Sequence, residues 1–404
     1  GEALSTGTAT PTISAASKES AKKQDRRRGG KSKAIGEKAT SSAELVDEVW
    51  NRSKLVTEVW KQGIATCNLT LSEVLPNILE FARDQQGSRF LQRKLEEADL
   101  TERQLAFAVI LPESGKLASD GFGNFVVQKI FESGTAEQKK ALVTEITPDI
   151  MELAHDTHGC RVIQTAIQHV SRESQLAIAG GLEGHVVACV ENMHGNHVIQ
   201  KCVEQMPPDS VNFIIREVED QTSRMASHIY GCRVIQRLLE HCAVQQLHKI
   251  LENILGNIPR LAPDRYGNYV VQHILEHGRH EDKSRIIKLV QCNILDFSKD
   301  KCSSNVVEKC FEISTVGEHA HVLEAERASL MRGVLGEPND SHPPLYAMME
   351  DRFGNYIVQR MIEHSRGPDR DALYRRLMLA GPQLRESTNG KRILAALQKE
   401  IRFN

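Results

Sequence analysis

A six-residue segment recurs along the chain with a fixed period. Residues 267–272 read Gly-Asn-Tyr-Val-Val-Gln, and residues 123–128 and 354–359 repeat them with one change each. Counted from the residue after the glycine position, copies begin at 88, 124, 160, 196, 232, 268 and 304, which are 36 residues apart, and the eighth begins at 355. A fixed period of about 20–50 residues indicates supersecondary units that stack side by side. The 404-residue chain is therefore predicted to form one elongated array rather than several globular domains.

Each unit is predicted to contain three helices. In the first unit they cover about residues 74–83, 88–97 and 101–110, so the recurring segment lies on the second helix. Residues 126, 127 and 130 are apolar at helical spacing, and this side of the second helix should therefore face the core. A glycine precedes the second helix in every unit but the seventh, which has Ser303, and we expect it to turn the chain with a positive φ. The predicted fold class is an all-α solenoid.

The array has predicted caps and one insertion. Residues 44–73 carry a helical apolar pattern ahead of the first full unit, which predicts an N-terminal half-repeat of the kind that stacked arrays need. Repeats 1–8 occupy about residues 74–377, and residues 378–404 are predicted to form a C-terminal cap. The extra length before the eighth copy is predicted to lie near 332–345, where glycines and prolines oppose regular structure.

Residues 1–43 differ in composition from the rest of the chain. They contain no aromatic residue, and their nine Lys/Arg and four Asp/Glu give a charge of +5. Such a segment buries too little apolar surface to fold, so we predict a disordered, basic, low-complexity segment. The basic run at 22–28 could be a nuclear signal, an RNA-contacting arm or a solvated tail. Because the whole chain carries −2, residues 44–404 carry −7, and any nucleic-acid binding by the array must depend on local positions rather than bulk charge.

Composition also narrows the functional classes. No run of about 18 apolar residues occurs, so no membrane span is predicted. The first ten residues lack the charged and apolar regions of a signal peptide, which predicts a cytoplasmic protein, with a nuclear pool if the basic run acts as a signal. Nine cysteines without a Cys-x-x-Cys pair indicate reduced thiols rather than a disulfide framework.

Three positions of the second helix are predicted to be exposed together along one continuous surface, since side chains four apart on a helix lie one above the other. We number these positions from the residue after the glycine. The first and fifth positions, in chain order, are Ser88 and Gln92, Asn124 and Gln128, Cys160 and Gln164, Asn196 and Gln200, Cys232 and Gln236, Asn268 and Gln272, Ser304 and Glu308, and Asn355 and Gln359. The second positions are Arg89, Phe125, Arg161, His197, Arg233, Tyr269, Asn305 and Tyr356.

The second positions carry planar groups: rings and guanidinium groups, with the flat amide of Asn305 in the seventh unit. Unstacked bases can lie between planar side chains, and each stack contributes roughly 1–3 kcal/mol. Amide pairs can then hydrogen-bond base edges. The sixth position is Lys or Arg in six of the eight units, where it could meet phosphates or neighbouring acids. The pattern predicts binding of single-stranded RNA.

From residue 44 onward, these spaced motifs resemble the Pumilio-homology (PUF) family of RNA-binding repeat proteins. The resemblance implies a right-handed superhelical crescent of eight three-helix Pumilio repeats with capping half-repeats, bases along the concave second helices, and no cofactor. It also implies a code of one base per repeat, in which Asn with Gln recognises uracil, Cys or Ser with Gln recognises adenine, and Ser with Glu recognises guanine. The RNA would run antiparallel to the repeats.

In that orientation the eight pairs specify 5′-UGUAUAUA-3′, an element of mRNA 3′ untranslated regions. The chemistry at the second base agrees, because ionised Glu308 offers only acceptors and guanine alone presents the adjacent donors N1–H and N2–H₂. The family resemblance further implies a monomer that represses translation or promotes mRNA decay through deadenylation factors. These effectors would dock on the convex face or on the 332–345 loop.

Other interpretations stay open. The array could be an armadillo-like scaffold that binds only proteins, or a factor that processes ribosomal RNA. Cys160 and Cys232 could be buried structural thiols rather than base contacts. His273, His277 and His280 have helical spacing that could suit a metal, but no carboxylate or thiol completes the set, so no metal site is predicted. No catalytic motif stands out, and we do not expect an enzyme.

Overall fold

Each period of the sequence corresponds to one three-helix repeat, and the repeats form a row. The structure is a computed structural model that describes residues 53–317, 319–337 and 339–403, and every regular element in this part of the chain is a helix. The predicted disordered segment 1–43 and the start of the predicted N-terminal half-repeat, 44–52, lie outside the described residues. From Lys54 onward the protein is the all-α solenoid that the period predicts.

The three helices of a repeat have different lengths. The first helices are short: Ile78–Arg83, Ser114–Ser119, Ile150–His155, Val186–Glu191, Thr222–Ala226, Ile258–Leu261, Ile294–Lys299 and Pro344–Glu350. The second helices are Gln85–Glu97, Gly123–Ser133, Gly159–His169, Gly195–Gln205, Gly231–His241, Gly267–His277, Ser303–Thr315 and Gly354–His364. The third helices are Leu100–Ile110, Ala136–Ile146, Arg172–Leu182, Asn212–Glu219, His248–Gly256, His280–Cys292, Glu324–Leu335 and Gly367–Leu379.

Shorter elements complete the array. Helices Lys54–Gln62 and Leu71–Val74 precede the first repeat, and Gly381–Glu386 and Thr388–Phe403 follow the last. Single 3₁₀ turns join helices at Leu75–Asn77, Leu111–Glu113, Thr147–Asp149 and Pro208–Val211. No helix in the described part of the chain combines the length and the apolar character that a membrane span requires.

A capping side chain starts each second helix. The Asp120 Oδ1 atom accepts hydrogen bonds from the backbone N–H groups of Phe122 at 2.8 Å and Gly123 at 2.7 Å. These groups lack partners within the helix, and a cap of this kind stabilises a helix by about 0.5–2 kcal/mol. An aspartate does the same in repeats 1, 3, 6, 7 and 8, Asn192 in repeat 4 and the His228 ring in repeat 5.

The glycine before the first position is required for a different reason from the predicted one. None of these repeat glycines has a positive φ. Instead, a Cβ atom on Gly159 would lie 2.6 Å from the carbonyl oxygen of Leu153, and one on Gly195 would lie 2.7 Å from that of Cys189. The first helix therefore leaves no room for a side chain unless neighbouring atoms shift. In repeat 7 Ser303 occupies this position, and its hydroxyl donates to the carbonyl oxygen of Phe297 at 2.9 Å, which offsets the crowding by its Cβ atom.

The second helices pack on one another in chain order. Each one contacts the next, from Lys54–Gln62 through the eight repeats to Thr388–Phe403. The predicted apolar stripe lies in the core, with Val126 and Val127 fully buried and Ile130 almost so. Because this stripe faces inward in every repeat, the opposite sides of the eight second helices form one uninterrupted surface, which we call the second-helix surface.

The extra residues of repeat 7 fall in two places. The prediction put them all near 332–345, and residues 336–343 do form a connection between the third helix of repeat 7 and the first helix of repeat 8. A second connection, 316–323, lies earlier, between Ser303–Thr315 and Glu324–Leu335. The prediction missed it because the sequence there lacks the proline-rich composition of the later segment.

Candidate nucleic-acid interface

The eight trios lie in register on the second-helix surface, but their three members are not equally accessible. All eight second positions are exposed, with Tyr356 at 51% and Phe125 at 42%. The fifth positions are half-buried. The first positions were predicted to be exposed and are instead buried, with Asn124, like two other first-position asparagines, at 0%. The first-position side chain therefore acts from beneath the surface.

The buried asparagine is held by the turn that precedes its own helix. The Asn124 Nδ2 group donates to the carbonyl oxygens of Asp120 at 2.8 Å and Gly121 at 3.0 Å. Asn196 and Asn268 make the same pair of bonds in repeats 4 and 6, at 2.7–3.1 Å. Both amide hydrogens are thus used within the repeat, and burial of the asparagine costs little because its polar atoms are satisfied.

The asparagine oxygen orients the fifth-position glutamine. The Gln128 Nε2 group donates to Asn124 Oδ1 at 2.8 Å, and the equivalent bonds in repeats 4, 6 and 8 measure 2.8, 2.9 and 3.1 Å. The glutamine amide is therefore preorganised with its nitrogen against the helix and its Oε1 acceptor on the outer side. An ordered amide loses less side-chain entropy when a base binds.

In repeats 1 and 3, which have serine and cysteine at the first position, the glutamine donates to the backbone carbonyl group of that residue. The Gln164 Nε2 group donates to the carbonyl oxygen of Cys160 at 2.9 Å, and the Cys160 thiol donates to Thr157 O at 3.5 Å. The Cys232 thiol makes the equivalent contact at 3.6 Å. Burial raises the pKa of the Cys160 thiol and raises that of Cys232 to about 11, so both stay protonated near pH 7. Sequence reasoning left these two thiols as either buried or base-facing, and they are buried yet next to the fifth position.

Repeat 7 has a carboxylate where the others have an amide. The Arg360 Nε group of repeat 8 lies 2.7 Å from Glu308 Oε1, and Arg360 Nη1 lies 2.6 Å from Glu363. The hydrogen bond to Glu363 and then that to Glu308 raise the pKa of Arg360. The arginine fixes the ionised Glu308 side chain at the surface and leaves its other oxygen open as an acceptor.

The sixth positions meet neighbouring acids. Lys129 Nζ lies 2.8 Å from Glu96 of the preceding repeat and 2.9 Å from Glu132 of its own. Lys309 repeats the arrangement with Glu276 at 2.7 Å and Glu312 at 2.8 Å. These glutamates occupy the ninth position, which sequence reasoning missed although its recurrence was visible: Glu96, Glu132, Glu204, Glu240, Glu276, Glu312 and Glu363. The sixth and ninth positions together form a row of ion pairs that ties successive second helices.

Two repeats interrupt this row. In repeat 3 the sixth position is Thr165, whose hydroxyl donates to Gln128 Oε1 of repeat 2 at 3.1 Å. In repeat 6 it is His273, a buried ring whose Nε2 atom lacks a hydrogen bond and lies 3.6 Å from Glu240. The rings of His273 and His277 are in contact, tilted by 54°, with their centroids 4.8 Å apart. Among the described residues, no three His, Cys, Asp or Glu side chains are arranged to hold a metal ion, these histidines included.

Comparison with known proteins identifies the family to which these repeats are similar. A sequence model described as the Pumilio-family RNA binding repeat matches residues 77–111, 115–147, 149–179, 185–219, 221–255, 257–290, 293–325 and 345–378. Each matched segment contains one second helix. The eight repeats identified from the period are therefore the eight repeats of the family.

Solved structures with this fold contain RNA. The crystal structure of PUF-8 in complex with PBE-RNA is 34% identical to this chain, with a TM-score of 0.79 over 86% of this chain and 99% of that one. The Puf3 RNA binding domain bound to the Cox17 RNA 3′ UTR recognition sequence site A is 29% identical, with a TM-score of 0.69 over 87% and 99%.

Curated relatives match over shorter stretches. Pumilio homolog 2 of Xenopus laevis is 44% identical over 74 residues, which are 18% of this chain and 6% of that protein. Maternal protein pumilio of Drosophila melanogaster is 42% identical over 57 residues, 14% of this chain and 4% of that protein. The chain thus aligns with a small part of these relatives' length. Because the repeat model covers more than half of the chain and a solved relative matches along almost its whole length, this protein belongs to the Pumilio family of RNA-binding repeat proteins.

Proposed function

We propose that the protein binds single-stranded RNA of the type 5′-UGUAUAUA-3′, with one base per repeat and the RNA antiparallel to the chain. One observation carries this proposal: eight trios recur in register, each with an exposed second position beside a half-buried fifth position, and in repeats 2, 4, 6 and 8 a buried asparagine orients the fifth-position glutamine. A base that enters between two second positions has its edge directed at the fifth position.

Stacking supplies most of the affinity in this account. Base stacking on a planar side chain contributes roughly 1–3 kcal/mol. Eight such contacts would sum to roughly 8–24 kcal/mol, and the net affinity is smaller because ordering a flexible RNA opposes binding. The ring of His197 stacks in its neutral form near pH 7, since burial and then the charges of Arg233 and His194 lower its pKa.

The fifth positions supply the selectivity. A glutamine amide combines one donor and one acceptor, which suits the edge of uracil or adenine, and the first position would distinguish the two. Glu308 supplies acceptors alone and suits guanine. Arg360 lies 2.7 Å from Glu308, so its positive charge offsets the repulsion between this carboxylate and the RNA phosphates. This arrangement favours guanine at the second base.

The target class is inferred from the relatives. The Puf3 domain is bound to a 3′ UTR recognition sequence of Cox17 RNA and the Puf4 domain to one of HO endonuclease RNA. By analogy, we assign this protein to elements in mRNA 3′ untranslated regions, where it would act as a post-transcriptional regulator in the cytoplasm.

Regulation would require effector proteins such as deadenylation factors. The connections 316–323 and 336–343 depart from the repeat pattern, and the neighbouring Met378 and Leu379 are highly exposed apolar side chains at 64% and 73%. We assign effector docking to this end of the array. Exchanging residues 336–343 for a short glycine-serine linker should abolish repression of a reporter mRNA that contains the recognition element. The affinity of the protein for RNA should be retained.

The binding proposal is tested by gel shift or filter binding with the octamer and with a base-permuted octamer of equal composition. We expect tight, salt-dependent binding to the first and at least tenfold weaker binding to the second. Equal binding to both would indicate a factor with loose sequence preference, and binding to neither would indicate a protein-binding solenoid; either result overturns the proposal.

A further inference from the structure

The residue three places before each first position lies beside the base-edge side chains. We call it the turn position, and in repeats 1–8 it is Gln85, Gly121, Thr157, Met193, Ile229, Arg265, Lys301 and Arg352. In repeats 2–7 its carbonyl oxygen accepts the hydrogen bond of the first-position side chain, for example from Asn268 to Arg265 at 3.1 Å and from Ser304 to Lys301 at 3.3 Å. A side chain at this position is therefore at the rim of each base subsite.

Three consecutive repeats, 6 to 8, carry a cation at the turn position. Arg265, Lys301 and Arg352 are all exposed. Within the described part of the chain, none of the three has a carboxylate within 4.0 Å. Two of them lie on a neighbouring ring: Arg265 Cζ is 5.3 Å from the ring centroid of Tyr266, and Arg352 Cζ is 4.5 Å from that of Phe353. These cation–π contacts hold the charge near the turn.

The capping aspartates of these turns do not cancel that charge. The Asp264 Oδ1 atom accepts from the N–H groups of Tyr266 at 2.9 Å and Gly267 at 2.6 Å, and Asp300 and Asp351 make equivalent bonds. Each carboxylate is thus half-buried against the positive end of a second helix, whose partial charge offsets it. The three cations extend outward from these caps.

The opposite rim of the second-helix surface is unsuited to a polyanion. Six sixth-position cations face seven ninth-position glutamates there, which gives a net charge of −1. Lys129, Lys309 and Arg360 each contact two glutamates within 3.0 Å. A phosphodiester backbone would gain little on that side, so the rim of turn positions is the electrostatically favoured path.

Three of the remaining five repeats provide exposed cations at another position. In repeats 1, 3 and 5 the exposed second position is an arginine, whereas in repeats 6–8 the second positions are the uncharged Tyr269, Asn305 and Tyr356. The turn cations therefore occur only where the stacking residue carries no charge. Six of the eight repeats present one cation each, three through Arg89, Arg161 and Arg233 and three through the turn.

We propose that Arg265, Lys301 and Arg352 form a phosphate-binding rim that holds the backbone of the three 5′ nucleotides. This rests on the proposed function, because repeats 8, 7 and 6 would bind the first, second and third bases. The rim adds affinity and salt dependence at the 5′ end without selecting a base. The ligand class is the RNA phosphodiester, and the contact is electrostatic.

Counterion release gives the expected size of the effect. Each phosphate neutralised on a single strand contributes about −0.7 to the slope of log K against log salt concentration. Six cations predict a slope of about −4, and removal of the three turn cations predicts about −2. This difference is measurable with five or six salt concentrations.

The test compares the wild-type protein with the triple variant Arg265→Gln, Lys301→Gln and Arg352→Gln on the octamer. A matched control removes the same charge from exposed third-helix lysines: Lys140→Gln, Lys249→Gln and Lys288→Gln. We expect a shallower salt slope for the turn variant, a wild-type slope for the control, and unchanged preference for guanine at the second base in both. A wild-type salt slope in the turn variant, or an equal decrease of the slope in the control variant, would contradict the proposed phosphate-binding rim.

A second measurement compares the wild-type protein and the turn variant on chemically modified RNA. Uncharged methylphosphonate linkages in the first three nucleotides should weaken wild-type binding and leave the turn variant almost unaffected, whereas the same linkages in the last three should weaken both. Equal losses at the 5′ end in both proteins would exclude the rim as the contact. If wild-type protein does not prefer the octamer over its permutation, the proposed function itself fails, and this result is distinct from either outcome above.

Discussion

Repeats 6 and 7 are neighbours with the same three-helix fold and different side chains at five places. These places are the helix start and the first, second, fifth and sixth positions. Repeat 6 has Gly267, Asn268, Tyr269, Gln272 and His273, and repeat 7 has Ser303, Ser304, Asn305, Glu308 and Lys309. Their second helices pack directly on each other. The scaffold therefore tolerates these exchanges, and the difference in base recognition that we propose for the two repeats depends on the side chains rather than on the fold.

The two fifth positions differ in the residue that orients them. Gln272 is oriented by Asn268 of its own helix, through a 2.9 Å hydrogen bond. Glu308 is oriented by Arg360 of the next repeat, at 2.7 Å. A neutral pair is satisfied within one repeat, whereas a carboxylate needs a cation from outside. Changing the specificity of a repeat thus requires attention to its neighbour as well.

The largest expected effect is on the second base. Glu308→Gln replaces one of two acceptors with a donor that opposes a guanine donor, at a cost of about 1.5–3 kcal/mol for a hydrogen bond to a charged group. We expect affinity for the guanine octamer to fall roughly 10- to 100-fold, and the octamer with adenine at the second base to become the better ligand. Glu312→Gln, which removes the same charge at the ninth position, is the control and should keep the guanine preference. Guanine preference that survives Glu308→Gln would contradict the assignment.

The reciprocal change in repeat 6 sharpens the same comparison. Asn268→Ser with Gln272→Glu recreates the pair of repeat 7 and should move the third base from uracil to guanine. Because the other repeats are untouched, preference at the remaining bases should stay the same. A variant that still selects uracil at the third base would show that the pair alone does not determine recognition.

The second positions should differ in energy. Tyr269→Ala removes an exposed ring and should weaken octamer binding by roughly 1–3 kcal/mol, whereas Asn305→Ala should weaken it by less, since a small amide offers little stacking area. Titrations with an abasic third nucleotide provide the control. On that RNA the wild-type protein and the Tyr269→Ala variant should bind equally, and a persistent difference would mean that the ring contributes by another contact.

A smaller effect is expected at the helix start of repeat 7. Ser303→Ala leaves the buried carbonyl of Phe297 without its 2.9 Å hydrogen bond while keeping the Cβ atom, and it should lower the free energy of unfolding by about 1 kcal/mol. Ser303→Gly restores the residue that the other repeats use and should cost less. Urea denaturation followed by circular dichroism measures both. Equal stability of the two variants would argue against the close-approach explanation.

The smallest effect concerns pH. Burial, opposed by the charge of Glu240 and assisted by that of His277, lowers the pKa of His273 from its ordinary 6.5. Its contribution to stability is therefore present above pH about 6.5 and lost as pH falls through the lowered pKa. Burial alone would lower the pKa of Lys309, but its hydrogen bonds to Glu276 and Glu312 raise it, so the Lys309 contribution is constant in this range.

Melting temperatures between pH 7.5 and 5 measure this difference between repeats 6 and 7. We expect the wild-type protein to lose stability as the pH falls and His273→Gln to lose less of it. A His273→Gln variant with the same pH slope as the wild-type protein would assign the effect to other histidines.

The sequence alone was sufficient for the architecture because a 36-residue period constrains every repeat at once. The all-α solenoid and the identity of the family are confirmed. The place of the second-position side chains also follows from helical periodicity, and all eight are exposed. The base assignments and the octamer remain predictions.

Other features depend on contacts that spacing does not reveal. The burial of Asn124 follows from hydrogen bonds to carbonyl groups of its own turn, and the need for glycine at position 159 follows from the close approach of Leu153. The sixth-position cations could have met either phosphates or acids, and only the distances to Glu96 and its equivalents decide between the two. The connection at 316–323 was hidden because no composition change marks it.

Selection of bound sequences from a random RNA pool tests the central claim most directly. The wild-type protein should enrich 5′-UGUAUAUA-3′, and a protein with Asn268→Ser, Gln272→Glu and Glu308→Gln should enrich 5′-UAGAUAUA-3′, changed at the second and third bases alone. Enrichment of no consensus, or changes that spread beyond these two bases, would contradict recognition of one base by one repeat.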